Sequence, residues 1–495
     1  MSAPAAASPR AAWRLLELPA TGHRFVHTSG PDLDSTDPAT GETVARVRTS
    51  TAADVDAAVA AGRAAMRSRW RDDGALRGRV LYRYAQALRE RVDELAELLT
   101  REQGKRIAEA RAEVNGAANH VEYYAGQARA VHGRALPLGP GVHGVTLREP
   151  VGVVAVITPW NWPLTLLTRS LAPALAAGNA VVVKPASLTP AVTIAALAPL
   201  AADPELPEGV LSCVVGSGDV VGTALVTHPG VDMIAFTGET TTGVNVMKLA
   251  ADGLKKVALE LGGKSPNLVF ADAPMDKALA GAVAAAFTSS GQICTAGSRL
   301  LVERSIADEF LERLAERVRA LRVGDGLDPA TDIAPVVSRS QQRAILDYID
   351  LGRTEGEIIA GGTPLTDERY AAGCYVPPTV VTGLPPQSRL IQEEIFGPVL
   401  AVQVFDDEDE AIALANCTDY GLSAGLWTSN LQRAWRVSRE LQAGTVWINT
   451  YNRFYSELEV GGVKRSGVGR QQGQVGLEEF TEVKSLNFDN NPTLW

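Results

Sequence analysis

The fold is decided by residues 151–183, which read VGVVAVITPWNWPLTLLTRSLAPALAAGNAVVV. The apolar, valine-rich run from Val151 to Ile157 predicts a buried strand, and the run from Leu164 to Ala177 predicts a helix. A second valine-rich strand follows from Ala180 to Val183. Two buried strands joined by a helix are typical of a parallel sheet, because the helix carries the chain back to the start of the next strand.

The same alternation continues along the chain. Further strands are predicted at 211–215 and 233–236, further helices from 190, at 220–227 and at 242–251, and a second α/β series from near 261 to beyond 440. Alternating strands and helices predict an α/β fold in which helices cover both faces of parallel sheets. Ligands of such sheets bind at the carboxyl ends of the strands. Two segments differ from this pattern: Gly133 to Arg148 predicts a hairpin, and Glu479 to Phe488 predicts a final strand.

Composition excludes several classes of protein. The chain has 495 residues and a net charge of −10, with no basic cluster interleaved with aromatic residues, so we expect no nucleic-acid partner. No apolar run reaches membrane-spanning length, so we expect no membrane partner. The Ala/Pro-rich N-terminus lacks the apolar core of a secretory signal and predicts an exposed, frayed leader.

Histidines and cysteines indicate neither a metal site nor disulfides. The six histidines are scattered along the sequence, and the four cysteines are Cys213, Cys294, Cys374 and Cys417. Their irregular spacing fits neither a zinc site nor a disulfide framework. Reduced thiols favour a cytoplasmic location.

One cysteine lies in an unusual setting, since residues 288–297 read TSSGQICTAG. Structural cysteines usually lie within apolar elements, whereas small and polar residues surround Cys294. Glycines on both sides allow a backbone or a substrate to approach closely. On this pattern alone, a nucleophile and a buried structural thiol are equally good interpretations.

Two glycine-rich turns follow predicted strands and open predicted helices, at 216–222 and 238–243. Each is either a tight strand-to-helix turn or a phosphate site at a helix N-terminus, and two in succession favour a nucleotide. Glu239 would place a negative charge at the second turn. Lys184 ends a buried strand, either as a solvated strand end or as a cation for ribose and phosphate.

Three further polar side chains are candidates for chemistry. Asn161 lies between two prolines and is either a turn residue or an amide donor to an oxyanion. Glu260 lies between leucines and is either a buried, paired carboxylate or a general base with a raised pKa. Glu394, close to Phe396, lies on a turn that could equally be a surface loop.

Together these motifs resemble those of the aldehyde dehydrogenase superfamily. Glu260-Leu-Gly-Gly-Lys-Ser-Pro and Gly291-Gln-Ile-Cys294 are similar to its glutamate and cysteine signatures. Pro159-Trp-Asn161 and Glu394-Ile-Phe-Gly-Pro398 resemble two of its other motifs. The resemblance extends over nearly the whole chain, with the motifs in the same order.

The resemblance implies a Rossmann-like cofactor domain (1–128 and 148–260), a second α/β catalytic domain (261–465) and β oligomerisation elements (129–147 and 476–495). It also implies a homodimer or homotetramer. In chemistry, it implies that Cys294 attacks an aldehyde, that Asn161 holds the oxyanion and that Glu260 activates the water that hydrolyses the thioester.

The implied cofactor is NAD⁺ or NADP⁺, with the preference left open. The resemblance assigns Lys184 and Glu394 to its ribose groups, Phe396 to the nicotinamide ribose, and Gly218, Gly238 and Trp160 to the adenine and pyrophosphate. Many members that prefer NAD⁺ carry Glu at the position of Ser187. A serine there leaves room for a 2′-phosphate, so we expect some use of NADP⁺.

The substrate is less constrained. Arg169 matches an arginine that binds the substrate carboxylate in succinate-semialdehyde dehydrogenases, but a second arginine of that group is replaced by Thr288. The segment 456–467, with Val460, is nearer to betaine-aldehyde dehydrogenases, and Trp162 with Phe454 or Tyr455 could face a cationic substrate. Apolar aldehydes, betaine or amino-aldehydes and semialdehydes therefore remain as alternatives.

Two other interpretations are weaker. A CoA-acylating enzyme would not need Glu260 as a base. A purely structural or binding role would not require Cys294, Glu260 and Asn161 together.

Overall fold

The structure is a computed structural model that describes residues 16–17 and 25–489. The predicted N-terminal leader and the outer ends of the predicted ranges 1–128 and 476–495 lie outside the described residues.

Helices dominate the first part of the chain. Its elements are β1 (Leu16–Glu17), β2 (Val26–His27), β3 (Asp32–Thr36), β4 (Thr43–Arg48), α1 (Ala52–Ala65), α2 (Gly74–Glu90), α3 (Val92–Gln103), α4 (Ile107–Gln127), β5 (Arg134–Gly139) and β6 (Val142–Pro150). The helix α1 begins with a reciprocal capping box between Thr51 and Asp54.

Strands and helices then alternate. The elements are β7 (Val153–Ile157), α5 (Pro163–Ala177), β8 (Ala180–Lys184), α6 (Pro190–Ala201), β9 (Leu211–Val214), α7 (Thr223–Thr227), β10 (Met233–Thr237), α8 (Thr240–Ala251) and β11 (Lys256–Glu260). The predicted elements are present, with one difference. The helix expected at Val220 starts as a π-helical turn over Gly218–Gly222 and becomes α-helical only at Thr223.

The second series has the same character. Its elements are β12 (Pro266–Val269), α9 (Met275–Phe287), β13 (Arg299–Glu303), α10 (Arg304–Arg319), α11 (Arg339–Glu355), β14 (Glu357–Ala360), β15 (Thr379–Thr382), α12 (Arg389–Gln392), β16 (Val399–Phe405), α13 (Glu408–Asn416), β17 (Ser423–Trp427), α14 (Leu431–Glu440), β18 (Thr445–Ile448), β19 (Gly467–Val468), α15 (Gly473–Glu478) and β20 (Thr481–Asp489).

Two large sheets organise the described part of the chain. The first has the order β19-β11-β10-β7-β8-β9-β2, and the second has the order β14-β15-β16-β13-β12-β17-β18. All neighbours in the first sheet are parallel except β19, and all in the second are parallel except β14. The predicted α/β fold with parallel sheets is therefore confirmed.

A separate antiparallel sheet has the order β20-β6-β5. The strands β5 and β6 form the predicted hairpin, and β20, the predicted final strand, pairs with β6 along its whole length. The division into cofactor, catalytic and oligomerisation parts remains a prediction.

The register of the first sheet brings the carboxyl ends of its strands, which carry polar residues, side by side. Ile157 at the end of β7 pairs with Lys184 at the end of β8. Thr237 at the end of β10 pairs with Glu260 at the end of β11. The turns that follow these strands carry Asn161 and Gly238, so several candidate residues leave the sheet at the same edge.

Candidate active site

The nucleophile loop is residues 288–294, between α9 and β13. Its first turn contains two serines with left-handed backbone, Ser289 (φ 52°) and Ser290 (φ 55°), followed by Gly291 (φ 72°). Such conformations are uncommon for residues other than glycine and are characteristic of functional sites. Ser290 Oγ donates to the carbonyl of Ala334 at 2.6 Å, which helps to hold this turn.

A cavity of about 720 Å³ opens in front of this loop. Seven of the residues proposed from the sequence line it: Asn161, Trp162, Arg169, Thr288, Cys294, Phe454 and Tyr455. Val460 is not part of that lining. It is buried and exchanges two backbone hydrogen bonds of 2.8 Å with Gln471, so its contact with a substrate remains a prediction.

The side chain of Asn161 is buried beside the nucleophile loop. Its Nδ2 donates to the carbonyl oxygen of Gln292 at 2.9 Å, two residues before Cys294. An amide nitrogen carries two protons, so one bond to the loop leaves the second proton available to an oxyanion. Asn161 is thus tied to the loop that carries the nucleophile.

The surroundings of Cys294 favour the thiol over the thiolate. Burial raises its pKa to about 12, and the positive charge of Arg169 only partly opposes that effect. A thiolate, not a thiol, is the nucleophile, so the reaction needs a group that removes this proton or a change in surroundings that lowers the pKa.

Glu260 does not line the cavity, but its carboxylate lies close to the cavity residue Arg169. Burial raises its pKa to about 7, while the charges of Arg169 and Arg470 act in the opposite direction. Arg169 Nη2 lies 4.0 Å from Glu260 Oε2, and both side chains are at most one-tenth exposed. A pKa close to neutrality suits a general base.

The pairing of Arg169 with Glu260 is a feature that sequence reasoning missed. The two residues are 91 positions apart, on α5 and at the end of β11, and no local pattern connects them. From the sequence, Arg169 is a candidate only as a ligand for a substrate carboxylate. Its Nε is buried without a hydrogen-bond partner among the described residues, so the guanidinium retains capacity for a further acceptor.

A second groove, of about 330 Å³, lies on the other side of the Asn161 turn. Four of the predicted cofactor residues line it: Trp160, Lys184, Gly218 and Gly238. Lys184 Nζ donates to the carbonyl of Pro185 at 3.0 Å, and burial lowers its pKa to about 8. Glu239 also lines the groove, where it accepts a hydrogen bond of 2.5 Å from Thr241 Oγ1.

The other three predicted cofactor residues do not line this groove. Ser187 Oγ donates to the carbonyl of Gly216 at 2.9 Å. Glu394 accepts from the backbone N–H of Gly263 at 3.0 Å, and burial raises its pKa to about 7. Phe396 has a left-handed backbone (φ 56°). Its ring packs edge-on against the ring of Trp160, with 5.3 Å between the ring centroids, and Trp160 itself lines the groove.

The residues that line the second groove fit a dinucleotide. The N-terminus of α8 faces the groove and offers backbone N–H groups to phosphate oxygens. A Cβ at Gly218 would meet nothing within 4 Å, so the backbone there is open to close approach. The assignment of Lys184 and Glu394 to the ribose hydroxyls remains a prediction, since Glu394 is not part of the groove lining.

Neither a metal centre nor a membrane span is found in residues 16–17 and 25–489. No three histidine, cysteine or acidic side chains in these ranges are grouped to hold a metal ion. None of the described helices is long and apolar enough to cross a bilayer.

Comparisons with known proteins identify the family of the chain. The model of the aldehyde dehydrogenase family matches residues 25–486. Betaine aldehyde dehydrogenase from Staphylococcus aureus, solved in complex with NAD⁺, is 35% identical, with 95% of each chain covered and a TM-score of 0.92. PnpE from Pseudomonas sp. WBC-3 is 39% identical over 94% of this chain and 96% of that chain, with a TM-score of 0.91. The chain therefore belongs to the aldehyde dehydrogenase family and is an NAD(P)-dependent aldehyde dehydrogenase.

Proposed function

We propose that the chain oxidises an aldehyde to the carboxylic acid with NAD(P)⁺, through a thioester on Cys294. The observation that carries the proposal is the convergence of Cys294 and Asn161 on one cavity, beside Glu260 with its pKa of about 7. A nucleophile, an oxyanion donor and a general base are the three groups that hydrolytic aldehyde oxidation needs.

The first half of the reaction forms the thioester. The Cys294 thiol first loses its proton to solvent, and the thiolate sulfur then bonds to the carbonyl carbon. The carbonyl electron pair moves to oxygen, where the Asn161 amide and the Cys294 backbone N–H hold it. When bound, the nicotinamide supplies the acceptor for the hydride that then leaves that carbon. The oxygen re-forms its double bond, and the acyl group remains on sulfur.

The second half releases the acid. Glu260 takes a proton from water, the resulting hydroxide attacks the thioester carbon, and the C–S bond breaks with its electron pair on sulfur. Asn161 holds the oxyanion again in this step, and one such donor is typically worth ~10²–10³ in rate. Because Glu260 is present and buried close to Arg169, water rather than CoA is the proposed acyl acceptor.

Two features of the cavity favour different substrates. Trp162, Phe454, Tyr455 and Glu457 line it, which supports a cationic betaine or amino-aldehyde. However, Lys105 Nζ already lies 3.8 Å from the centre of the Trp162 ring, so one face of that ring is occupied by a cation. Arg169 has unused hydrogen-bonding capacity in the same cavity, which supports a semialdehyde with a carboxylate.

For the cofactor, we propose NAD⁺ with additional use of NADP⁺. The solved Staphylococcus aureus relative contains NAD⁺. Ser187 adds no negative charge beside Lys184, so a 2′-phosphate would meet no carboxylate from that position.

The test is a set of initial rates with aliphatic, aromatic, ω-amino and ω-carboxy aldehydes and betaine aldehyde, each with NAD⁺ and NADP⁺. Products are identified with and without CoA. Formation of free acid without CoA supports the proposal, and formation of acyl-CoA only when CoA is present would contradict it. No turnover with NADP⁺ would contradict the proposed role of Ser187.

A further inference from the structure

Three charged residues at the start of α4 contact the loops of the active site. Glu109 and Glu113 are four residues apart on α4, so their side chains share one face, and Lys105 lies in the loop two residues before the helix. All three residues are less than one-tenth exposed. Sequence reasoning assigned no role to this region, which precedes the first strand of the parallel series by about 40 residues.

Lys105 and Glu113 form a buried ion pair beneath the Asn161 turn. Lys105 Nζ lies 2.5 Å from Glu113 Oε2, and neither side chain is exposed. The same ammonium donates to the backbone carbonyl of Asn161 at 2.7 Å and lies against the ring of Trp162. One lysine therefore contacts both the oxyanion residue and an aromatic wall of the substrate cavity.

Glu113 holds the other end of this turn. Its Oε1 accepts from the backbone N–H groups of Leu164 at 2.8 Å and Thr165 at 3.3 Å, in the first turn of α5. The two members of the ion pair therefore contact the turn at Asn161 and at the start of α5. An ionised carboxylate at a helix N-terminus is also favoured by the helix dipole.

Glu109 accepts a backbone hydrogen bond from the nucleophile loop, as Glu113 does from the start of α5. Its Oε1 accepts from the backbone N–H of Ser289 at 2.9 Å and pairs with Arg106 at 2.7 Å. Ser289 is one of the two residues with left-handed backbone that lead to Cys294. The same helix face therefore touches both loops that must be aligned for oxyanion binding.

We infer that Lys105, Glu109 and Glu113 are positioning residues that set Asn161 against the nucleophile loop. This inference rests on the proposed function, because it concerns the oxyanion formed at Cys294. Buried charges of this kind are costly unless paired and hydrogen-bonded, and here their hydrogen bonds go to the backbone of the two catalytic loops. A small misplacement of a catalytic group is enough to cause a large loss of rate.

The experiment compares Lys105→Met and Glu113→Gln, each alone and combined with Asn161→Ala. We measure kcat for aldehyde oxidation, KM for NAD⁺, and cofactor-free hydrolysis of 4-nitrophenyl acetate, which also forms an oxyanion at the cysteine. We expect each single variant to lose ~10–100-fold in kcat and in ester hydrolysis, a fraction of the value of a full oxyanion donor. KM for NAD⁺ should not change.

Combination with Asn161→Ala separates positioning from general damage. If Lys105 and Glu113 act through Asn161, adding their substitutions to Asn161→Ala should cost little more. Effects that multiply in the double variants would overturn the inference, as would a kcat equal to that of the wild type. If Lys105→Met does not fold, Glu113→Gln decides by the same criteria, since it keeps an acceptor oxygen for α5.

The matched control is Glu102→Gln. Glu102 is another buried carboxylate that caps a helix, since it accepts from the backbone N–H groups of Ala191 and Val192 at 2.9 Å each. It should keep its kcat even where its melting temperature falls as much as that of Glu113→Gln. Failure of the proposed function would look different, because the wild type itself would then oxidise no aldehyde.

Discussion

The surroundings of the Glu260 carboxyl group raise its pKa to near neutral pH. Burial raises its pKa to about 7, so the group is half ionised near that pH and mostly ionised above it. Only the ionised form accepts a proton from water. We therefore expect kcat to rise with pH along an acid limb with a midpoint near pH 7.

Glu260→Gln tests this assignment. The amide cannot accept the proton, and we expect kcat to fall by ~10²–10⁴-fold and the acid limb near pH 7 to disappear. The measurement is kcat across pH for both proteins. A variant that retains the wild-type profile would show that another group activates the water.

Arg169 gives a prediction with two distinguishable outcomes. Its positive charge, 4.0 Å from Glu260, lowers the pKa of that carboxyl, so Arg169→Met should move the acid limb of kcat to higher pH by roughly one unit. Arg169→Lys keeps the charge and serves as the control. A rise in KM confined to ω-carboxy aldehydes, with an unshifted limb, would instead identify Arg169 as a ligand for the substrate carboxylate.

At the scale of elements, the nucleophile loop and the turn around Glu394 are packed against each other. A Cβ at Gly291 would lie 2.1 Å from the carbonyl oxygen of Gly397, and Gly291 has φ 72°. The close approach that glycine allows at this point joins the cysteine loop to the turn assigned to the cofactor ribose.

Gly291→Ala should therefore affect both chemistry and cofactor binding. A left-handed alanine costs ~1–2 kcal/mol, and the clash with the Gly397 backbone adds ~1–3 kcal/mol. We expect a lower melting temperature, a lower kcat and a higher KM for NAD⁺. Gly383→Ala is the control, because Gly383 has φ 70° but nothing within 4 Å of its Cβ position. Equal effects of the two substitutions on kcat would contradict the packing account.

The elements themselves could be predicted well from the sequence. Strands such as β7 and β8 are short valine-rich runs bounded by glycine and proline, and their length and β-branched content distinguish them from the helix between them. The hairpin of β5 and β6 was indicated by alternation and turn residues. The π-helical start at Gly218 was not, because it has no pattern of its own.

The site was predictable only in part. Motif residues such as Cys294 and Asn161 could be named, but their surroundings depend on contacts between distant segments. The pairs Lys105–Asn161 and Glu109–Ser289 join residues 56 and 180 positions apart. Only the four-residue spacing of Glu109 and Glu113 on α4 could have suggested a shared face.

At the scale of the whole molecule, the small antiparallel sheet leaves apolar side chains uncovered. Every residue of β5 is exposed, and the larger exposed apolar residues of the sheet are Leu136, Leu138, Leu147, Val483 and Phe488. The register places Leu136 and Val483 on one face of the sheet and Leu147 and Phe488 on the other. Large apolar side chains exposed on a small sheet favour a protein interface. This exposure supports the predicted homodimer or homotetramer.

Leu138→Asp tests that prediction. A charge placed in a buried interface is costly, so the variant should have a lower mass by light scattering than the wild type at the same concentration. Leu431→Asp, at a leucine that is 74% exposed on α14, is the control and should keep the wild-type mass. A wild-type mass equal to one chain would contradict the prediction.

We propose that the acyl group forms on Cys294 and remains there until a water activated by Glu260 hydrolyses the thioester. This proposal is tested most directly by mass spectrometry of Glu260→Gln after mixing with an aldehyde that the wild type turns over and NAD⁺. We predict that the variant gains the mass of one acyl group per chain, located on Cys294, with one NADH formed per chain. An unmodified Cys294 together with continued NADH formation would contradict the account.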